Sequence, residues 1–317
     1  MGKNDEKNKR GKRKMKEYVN FKEEEICGFR VSEKRKKVWN EELAILETIV
    51  NVCNKYNINY SMAGGTLLGI VRHNGYIPWD DDIDIAMKRN EYEKFLKFYK
   101  KENTGYFLQC SDTENAYIRG HAQIRNSDTT AIILGDQYND YNKGIFVDIF
   151  PLDNVPDDTR KRTKFISKNK KQKKFLSFYF YKNSKNIFKK IFKYCLWKMP
   201  FLNINNEIKK FEKNAQIYNL QNTKKCYTVT FGCDKFCYDN EWFNRLIERD
   251  FYTIKVKIFK DYDLALKRQY GNYIEIPKNK NGSIHGQVFF DCDKSYKYYL
   301  PKINEIEEKI INKEIVL

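Results

Sequence analysis

Four aspartates stand within five residues of this chain: Asp80, Asp81, Asp82 and Asp84, interrupted only by Ile83. Ile83–Met87 reads as a strand, and alternate residues of a strand face the same way. Asp82 and Asp84 then share a face, with Asp80 on the same parity just before them, while Ile83 and Ile85 point into the core. Carboxylates held that closely repel one another unless cations neutralise them. Hard divalent ions take oxygen ligands, and Mg²⁺ (or Mn²⁺) fits where a phosphate completes the shell. An EF-hand loop is disfavoured because no glycine stands at its sixth position.

Two further features suit phosphate chemistry. Gly64-Gly65-Thr66 ends the apolar run Ile58–Ala63, read as a strand, and starts an apolar helix. Glycines let backbone amides approach phosphate oxygens, and a helix start favours anions. No Gly-Lys-Ser/Thr follows, so this is not a Walker loop. Asp148 lies inside Gly144–Phe150, an otherwise apolar strand read as ending at Pro151. A lone buried carboxylate is costly without a partner, and a metal shared with Asp82 and Asp84 would supply one; a hydrogen-bonded structural Asp is the plain alternative. Arg72 and Arg125 are candidate phosphate clamps. Among the histidines, His285 sits in the glycine-flanked Gly282-Ser-Ile-His-Gly286 and is a candidate acid or base; His73 and His121 read as structural or surface residues.

These residues need a scaffold. Val38, Ile45, Ile49, Val52 and Tyr56 recur every three or four positions, which predicts an amphipathic helix over Val31–Tyr56. Asn90, with Glu93 three residues on, reads as a helix cap. Thr228–Phe231 and Tyr252–Phe259 read as strands and Tyr262–Tyr270 as a helix. Aromatics make up 15 % of 317 residues, ample for a core, so a wholly disordered chain is excluded despite the polar mean hydropathy of −0.77. No apolar run approaches the ~18 residues of a membrane span, and Met1–Lys16 lacks the apolar core of a signal peptide. A cytoplasmic protein is expected.

The net charge is +18, unevenly distributed. Residues 160–214 carry 18 Lys/Arg against Glu207 and Glu212, and residues 1–20 carry 8 against three acids. A polyanionic partner is implied, a nucleic acid or an acidic membrane. Within the basic segment Ile187–Leu202 has helical periodicity, with Phe188, Ile191, Phe192, Cys195 and Met199 on one face and Lys189, Lys190 and Lys193 off it. That is the pattern of a packed insertion or of an interfacial membrane helix. Of eight cysteines none forms a C-x-x-C pair. Cys226, Cys233, Cys237 and Cys292 are poorly spaced for zinc and read as ordinary thiols.

Taken as a set, the run Gly64–Asp84, the stretch Phe146–Asp153 (FVDIFPLD) and Gln269–Pro277 (QYGNYIEIP) followed by His285 resemble the LicD/fukutin family of phosphotransferases, within the nucleotidyltransferase superfamily. The resemblance spans roughly residues 31–158 and 252–285. It implies an α+β fold: a nucleotidyltransferase-like mixed β-sheet core with flanking helices and a basic helical insertion. The expected organisation is a basic flexible arm (1–30), a catalytic core (31–158), the insertion (159–225) and a C-terminal part completing the catalytic domain (226–317). Asp80, Asp82, Asp84 and Asp148 carry over as metal-binding carboxylates, and Gly64, Gly65 and Thr66 as the donor-phosphate turn. The implied reaction moves phosphocholine, or a related phospho-alcohol, from CDP-choline or another CDP-alcohol to a hydroxyl of a glycan acceptor, lipid-linked or not. Asp82, Asp84, Asp148 and His285 would carry the chemistry. A choline headgroup asks for aromatic faces, and Tyr76 and Trp79 flank the acid cluster, although Trp79 also suits a core. The implied partners include an anionic membrane surface on the cytoplasmic side and no nucleic acid. Nucleotidyl transfer to RNA or protein, or a membrane-surface adaptor on an inactive transferase fold, are the alternatives; an inactive relative would be expected to lack one of Asp82, Asp84 or Asp148, and all are present.

Overall fold

The computed structural model describes residues 16–180, 186–230, 234–278, 280 and 288–312. The first half of the basic arm, Cys233 and His285 lie outside the described residues. Within the expected arm, Tyr18 is already buried, its backbone N–H donating to Asn40 Oδ1. Strands β1 (Glu24–Ile26) and β2 (Phe29–Val31) form a hairpin. The chain is therefore docked well before residue 30.

Helix α1 (Glu33–Lys55) starts where Ser32 accepts a hydrogen bond from the Arg35 N–H, a good N-cap. Its apolar stripe, Val38, Ile45, Ile49 and Val52, is buried as the periodicity predicts. Strand β3 (Ser61–Met62) is only the end of the expected Ile58–Ala63 strand. Helix α2 (Gly64–His73), strand β4 (Asp84–Lys88) and helix α3 (Arg89–Tyr99) follow. The cap of α3 is Lys88, not Asn90, and its side chain makes no cap hydrogen bond: β4 runs straight into the helix and leaves no loop for Asn90 to close. Strands β5 (Phe107–Gln109), β6 (Ala122–Asn126), β7 (Thr130–Ile133) and β8 (Ile145–Val155) complete the first half.

The basic segment forms α4 (Thr159–Ser177), α5 (Ile187–Trp197) and α6 (Ile204–Ala215). Beyond it come β9 (Lys225–Tyr227), three residues ahead of the expected strand, and β10 (Tyr238–Asp239). The hairpin β11 (Leu246–Phe251) and β12 (Ile254–Phe259) turns at Tyr252, whose φ of 54° excludes it from the strand expected to begin there. Helix α7 (Tyr262–Tyr270) coincides with its expected span. Strand β13 (Val288–Asp291) and helix α8 (Ile303–Ile311) end the described fold.

The architecture is α+β. Seven strands make one mixed sheet: β10-β9-β8-β4-β3, with β6 also on β8 and β5 on β6. The pair β4–β8 is parallel and its other pairs are antiparallel. β8 is the hub. Pro151 does not stop it as expected. The neighbour β6 ends opposite Ile149 and β9 begins opposite Asp153, so Pro151 falls in the gap between them, where its missing N–H costs little. Ile83, Ile85, Val147 and Ile149 are fully buried. At roughly 1.5–3 kcal/mol per buried aliphatic side chain, they hold the register that aims the intervening aspartates the other way. α4 and α6 add a second apolar cluster, in which Phe165, Ile166, Ile208 and Phe211 meet Val155 and Tyr227.

Candidate active site

The acidic run is not one strand. β4 begins only at Asp84, and Asp80–Ile83 form the loop entering it. The loop folds the carboxylates into two groups that share Asp82. One is Asp80, Asp81 and Asp82; the other is Asp82, Asp84 and Asp148, and in each the oxygens offered lie within 4.8 Å of one another. The expected set thus falls into two groups joined at Asp82: Asp80 with Asp81 and Asp82, and Asp148 with Asp82 and Asp84. Asp148 is brought in because it is the register partner of Asp84 in the parallel pair, and its N–H donates to the Ile83 carbonyl at 2.9 Å.

The glycine turn is fitted around these acids. A Cβ on Gly64 would lie 2.5 Å from Asp84 Oδ2, and one on Gly65 2.5 Å from Asp80 Oδ2. Gly64 also has φ +52°, a region that side chains disfavour. The two carboxylates therefore lie over the N-terminus of α2, where the helix dipole favours negative charge. Thr66 is buried, and its Oγ1 accepts from the Asp84 N–H at 2.8 Å; it positions the start of the strand that carries Asp84. The Ala63 N–H donates to the Asp84 carbonyl at 3.0 Å. The Asp80 carbonyl accepts from Arg35 Nη1 (2.9 Å) and Trp39 Nε1 (3.0 Å).

Asp148 is held by β6. Gln123 is its register partner on that side and donates Nε2–H to Asp148 Oδ1 at 2.6 Å. His121 Nε2 lies 3.1 Å from the same oxygen, and its Nδ1 3.1 Å from Thr230 Oγ1. Burial lowers the His121 pKa, and the neighbouring Asp148 only partly offsets it. A neutral imidazole that donates Nε2–H to Asp148 satisfies both nitrogens. Arg125 does not reach a phosphate. It is buried, donating to Gln123 Oε1 and the Gly144 carbonyl at 2.6 Å each and to Gln109 Oε1 at 2.5 Å. Desolvation lowers its pKa to about 10, so it remains charged at neutral pH and braces Gln123.

Other expected site residues fall differently. Tyr76 is buried, stacked on Trp39 at 4.6 Å, and donates its hydroxyl to Glu42 Oε2 at 2.8 Å, so no ring face is left for a headgroup. Trp79 is half-buried, edge-on to Phe29 and His73, with the Arg72 guanidinium 5.9 Å from its ring. Arg72 is spent on structure: Nε donates to His73 Nε2 at 2.9 Å, and Nη1 donates to the carbonyls of Tyr273 (2.9 Å) and Glu275 (3.3 Å). It ties the QYGNYIEIP loop to α2. Burial, then the Arg72 charge, pushes His73 down to about 4, so His73 is neutral.

Residues not singled out complete the site. Glu42 is buried beneath the acidic loop, and desolvation, with Asp82, Asp81 and Asp80 adding repulsion, raises its pKa well above the carboxylate range. Tyr270, partly exposed at the end of α7, senses Asp84, Asp80 and Asp82, which raise its pKa together with the larger effect of burial. One sequence signal could have revealed the β6 contribution. His121, Gln123 and Arg125 alternate with Ala122 and Ile124, a polar strand face with no reason to be polar unless it meets a buried charge.

Residues 57–208 match the family model described as LicD/FKTN/FKRP, nucleotidyltransferase domain. The chain is similar to the lipopolysaccharide cholinephosphotransferase LicD of Haemophilus influenzae, at 27 % identity over 248 residues, covering 77 % of this chain and 92 % of that protein. An uncharacterised protein of Rickettsia typhi is 29 % identical over 133 residues, covering 39 % of this chain and 41 % of that one. A second, from Rickettsia prowazekii, is 27 % identical over 142 residues, covering 44 % and 48 % respectively.

Proposed function

From the match of residues 57–208 to the LicD/FKTN/FKRP nucleotidyltransferase domain we propose that the chain is a member of that family and transfers phosphocholine from a CDP-activated donor to a hydroxyl of a cell-surface glycan or its lipid-linked precursor. The observation that carries the reading is the convergence of Asp82, Asp84 and Asp148 at the head of a parallel strand pair, over a glycine-led helix start. A similar protein named for phosphocholine transfer to lipopolysaccharide supplies the substrate class.

The residues fit a divalent cation. The donor set is all carboxylate oxygen, the composition Mg²⁺ or Mn²⁺ prefers, and two such groups sharing Asp82 would suit a pair of ions. Asp82, Asp84 and Asp148 would hold one, and Asp80, Asp81 and Asp82 the other. When bound, such ions neutralise charge on a diphosphate and its leaving group. The protein's own contribution is preorganisation: Thr66 fixes Asp84, Gln123 and His121 fix Asp148, and Arg35 and Trp39 fix the loop. The Asp148–His121 pair is placed to take the proton of an acceptor hydroxyl. Tyr270 is the aromatic surface beside the acids that a quaternary ammonium headgroup would meet; choline cannot donate hydrogen bonds and is recognised by ring faces or carboxylates.

We propose further that the enzyme works at an anionic membrane surface, on the cytoplasmic face. Among the described residues no helix is long and apolar enough to cross a membrane. Helix α5, however, buries none of its residues. Ile187, Phe188, Ile191 and Phe192 are each more than half exposed, as is Phe201 just beyond, and Lys189, Lys190, Lys193 and Lys198 accompany them. An apolar stripe rimmed by lysines suits the headgroup boundary of an acidic bilayer.

The test is calorimetric titration of the purified protein in Mg²⁺ with CDP-choline, CDP-ethanolamine, CDP-glycerol and CDP-ribitol. CDP-choline should bind most tightly. Preference for a polyol donor would replace the headgroup, and preference for a UDP-sugar would overturn the donor class.

A further inference from the structure

A cavity of about 450 Å³ lies between α4 and the Val229–Thr230 turn. Lys170, Lys173, Lys174 and Ser177 of α4 line one side of it, and Ile118, Val229 and Thr230 the other. The spacing i, i+3, i+4, i+7 sets the three ammonium groups and the hydroxyl on one helix face. That face is rigidly held: Phe165, Ile166 and Leu176 are buried in the second apolar cluster, and Asn169 donates Nδ2–H to the Tyr227 hydroxyl at 2.8 Å.

No acid lines the cavity, and none of the three lysines forms an ion pair among the described residues. Elsewhere several buried or half-buried cations are ion-paired, as Arg89 is with Asp153 and Arg119 with Asp136, or held by carbonyl and amide oxygens, as Lys143 and Arg125 are. Burial first, and then the Arg119 charge, lowers Lys173 to about 8, while Asp136 and Asp148 oppose this. Three convergent cations with no acid lining their cavity repel one another unless an anion joins them, and ammonium and hydroxyl donors suit the oxygens of a phosphoryl group.

The cavity reaches the active site through one imidazole. Thr230 Oγ1, in its wall, is 3.1 Å from His121 Nδ1, and His121 Nε2 is 3.1 Å from Asp148 Oδ1. We propose that this cavity is a subsite for a phosphoryl or diphosphoryl group carried by the acceptor, so that the substrate class is a phosphorylated or diphosphate-linked glycan. The inference rests on the transferase reading above. The donor's own diphosphate is accounted for by the carboxylate groups around Asp82, whereas the lysines adjoin the Asp148–His121 pair that faces the acceptor hydroxyl.

Inorganic pyrophosphate is the probe, titrated calorimetrically into the full chain in EDTA, so that the carboxylates cannot bind it through metal. Wild-type protein should bind it, and K170Q/K173Q/K174Q should bind at least tenfold more weakly with an unchanged melting profile. Should the triple variant fold poorly, K170Q/K174Q, which alters only the two exposed lysines, should still weaken binding severalfold. Equal binding by wild type and the folded variants would overturn the subsite. A parallel titration with CDP-choline in Mg²⁺ separates the sources of the phosphate. Unchanged affinity in the lysine variants supports the acceptor; a parallel loss would assign the cavity to the donor and overturn the acceptor subsite. D82N distinguishes the two readings: it should lose CDP-choline but keep pyrophosphate in EDTA. Retention of both would overturn the transferase reading while leaving the anion subsite standing.

Discussion

Asp84 and Asp148, 64 residues apart in the chain, are register partners in the parallel β4–β8 pair, and Gln123 faces Asp148 from the opposite strand. Two carboxylates abreast on central strands bring like charges together in a partly buried place. The fold tolerates them because Asp84 lies over the start of α2 and Asp148 is hydrogen-bonded by Gln123 and His121.

Replacing Asp84 or Asp148 by Asn should therefore separate stability from activity. Turnover should fall by on the order of 10²–10³, the scale of losing a preorganised electrostatic group. The melting temperature without metal should stay equal or rise, because a repulsive charge is gone. Mg²⁺-induced stabilisation, measured by thermal shift, should disappear. Retained turnover in either variant would remove these residues from the metal site.

Gly64→Ala combines a positive φ with a Cβ 2.5 Å from Asp84 Oδ2. A cost of about 1–3 kcal/mol is expected for the backbone conformation alone, with loss of activity from the displaced carboxylate. Gly65→Ala has only the contact with Asp80 and should be milder in denaturant unfolding. Equal costs in the two variants would show that φ contributes nothing.

Arg125→Leu should destabilise by about 1–3 kcal/mol for each buried acceptor it leaves unpaired, at Gln109, Gln123 and the Gly144 carbonyl. Gln123→Leu should cost less stability but more activity relative to that cost, since it frees Asp148 directly. Urea melts and steady-state rates on both variants give the comparison.

Glu42 sets a pH dependence. Its folded pKa is raised well above the usual carboxylate value, first by burial and then by the neighbouring aspartates, against the opposing hydrogen bond from Tyr76. Its contribution to stability is complete below its unfolded pKa, near 4.3, and is lost as pH rises toward the folded value. Glu42→Gln should accordingly raise the melting temperature at pH 7.5 in metal-free protein. The gain should shrink as the pH approaches 4.5. A gain independent of pH would mean that the Glu42 pKa is the same in the folded and unfolded states.

Helix α5 should bind acidic vesicles. Lys189→Glu, Lys190→Glu and Lys193→Glu together should abolish sedimentation with phosphatidylglycerol vesicles, at about 1 kcal/mol per lysine. Phe188→Ser with Phe192→Ser should weaken it without affecting the melt, since both rings are exposed. Unchanged binding in both variants would remove the membrane role.

The sequence by itself determined the local chemistry. Residue type and short-range spacing were enough to mark the glycine turn, the acidic run, Asp148, α1, α7 and the amphipathic basic helix, because periodicity and steric freedom act within a few residues. It did not determine which carboxylates meet. Asp80 shares strand parity with Asp82 and Asp84 on paper, yet β4 starts only at Asp84, and the preceding loop gathers Asp80 with Asp81 and Asp82, while Asp84 joins Asp148. Nor could it show that β6 braces Asp148 through Gln123 and His121, that Arg125 and Tyr76 are buried and spent, or that α4 delivers three lysines beside His121. Those facts depend on strand register and helix docking between segments as much as 109 residues apart. Long-range contacts of that kind are decided by which apolar faces bury together, and only the tertiary structure records that outcome.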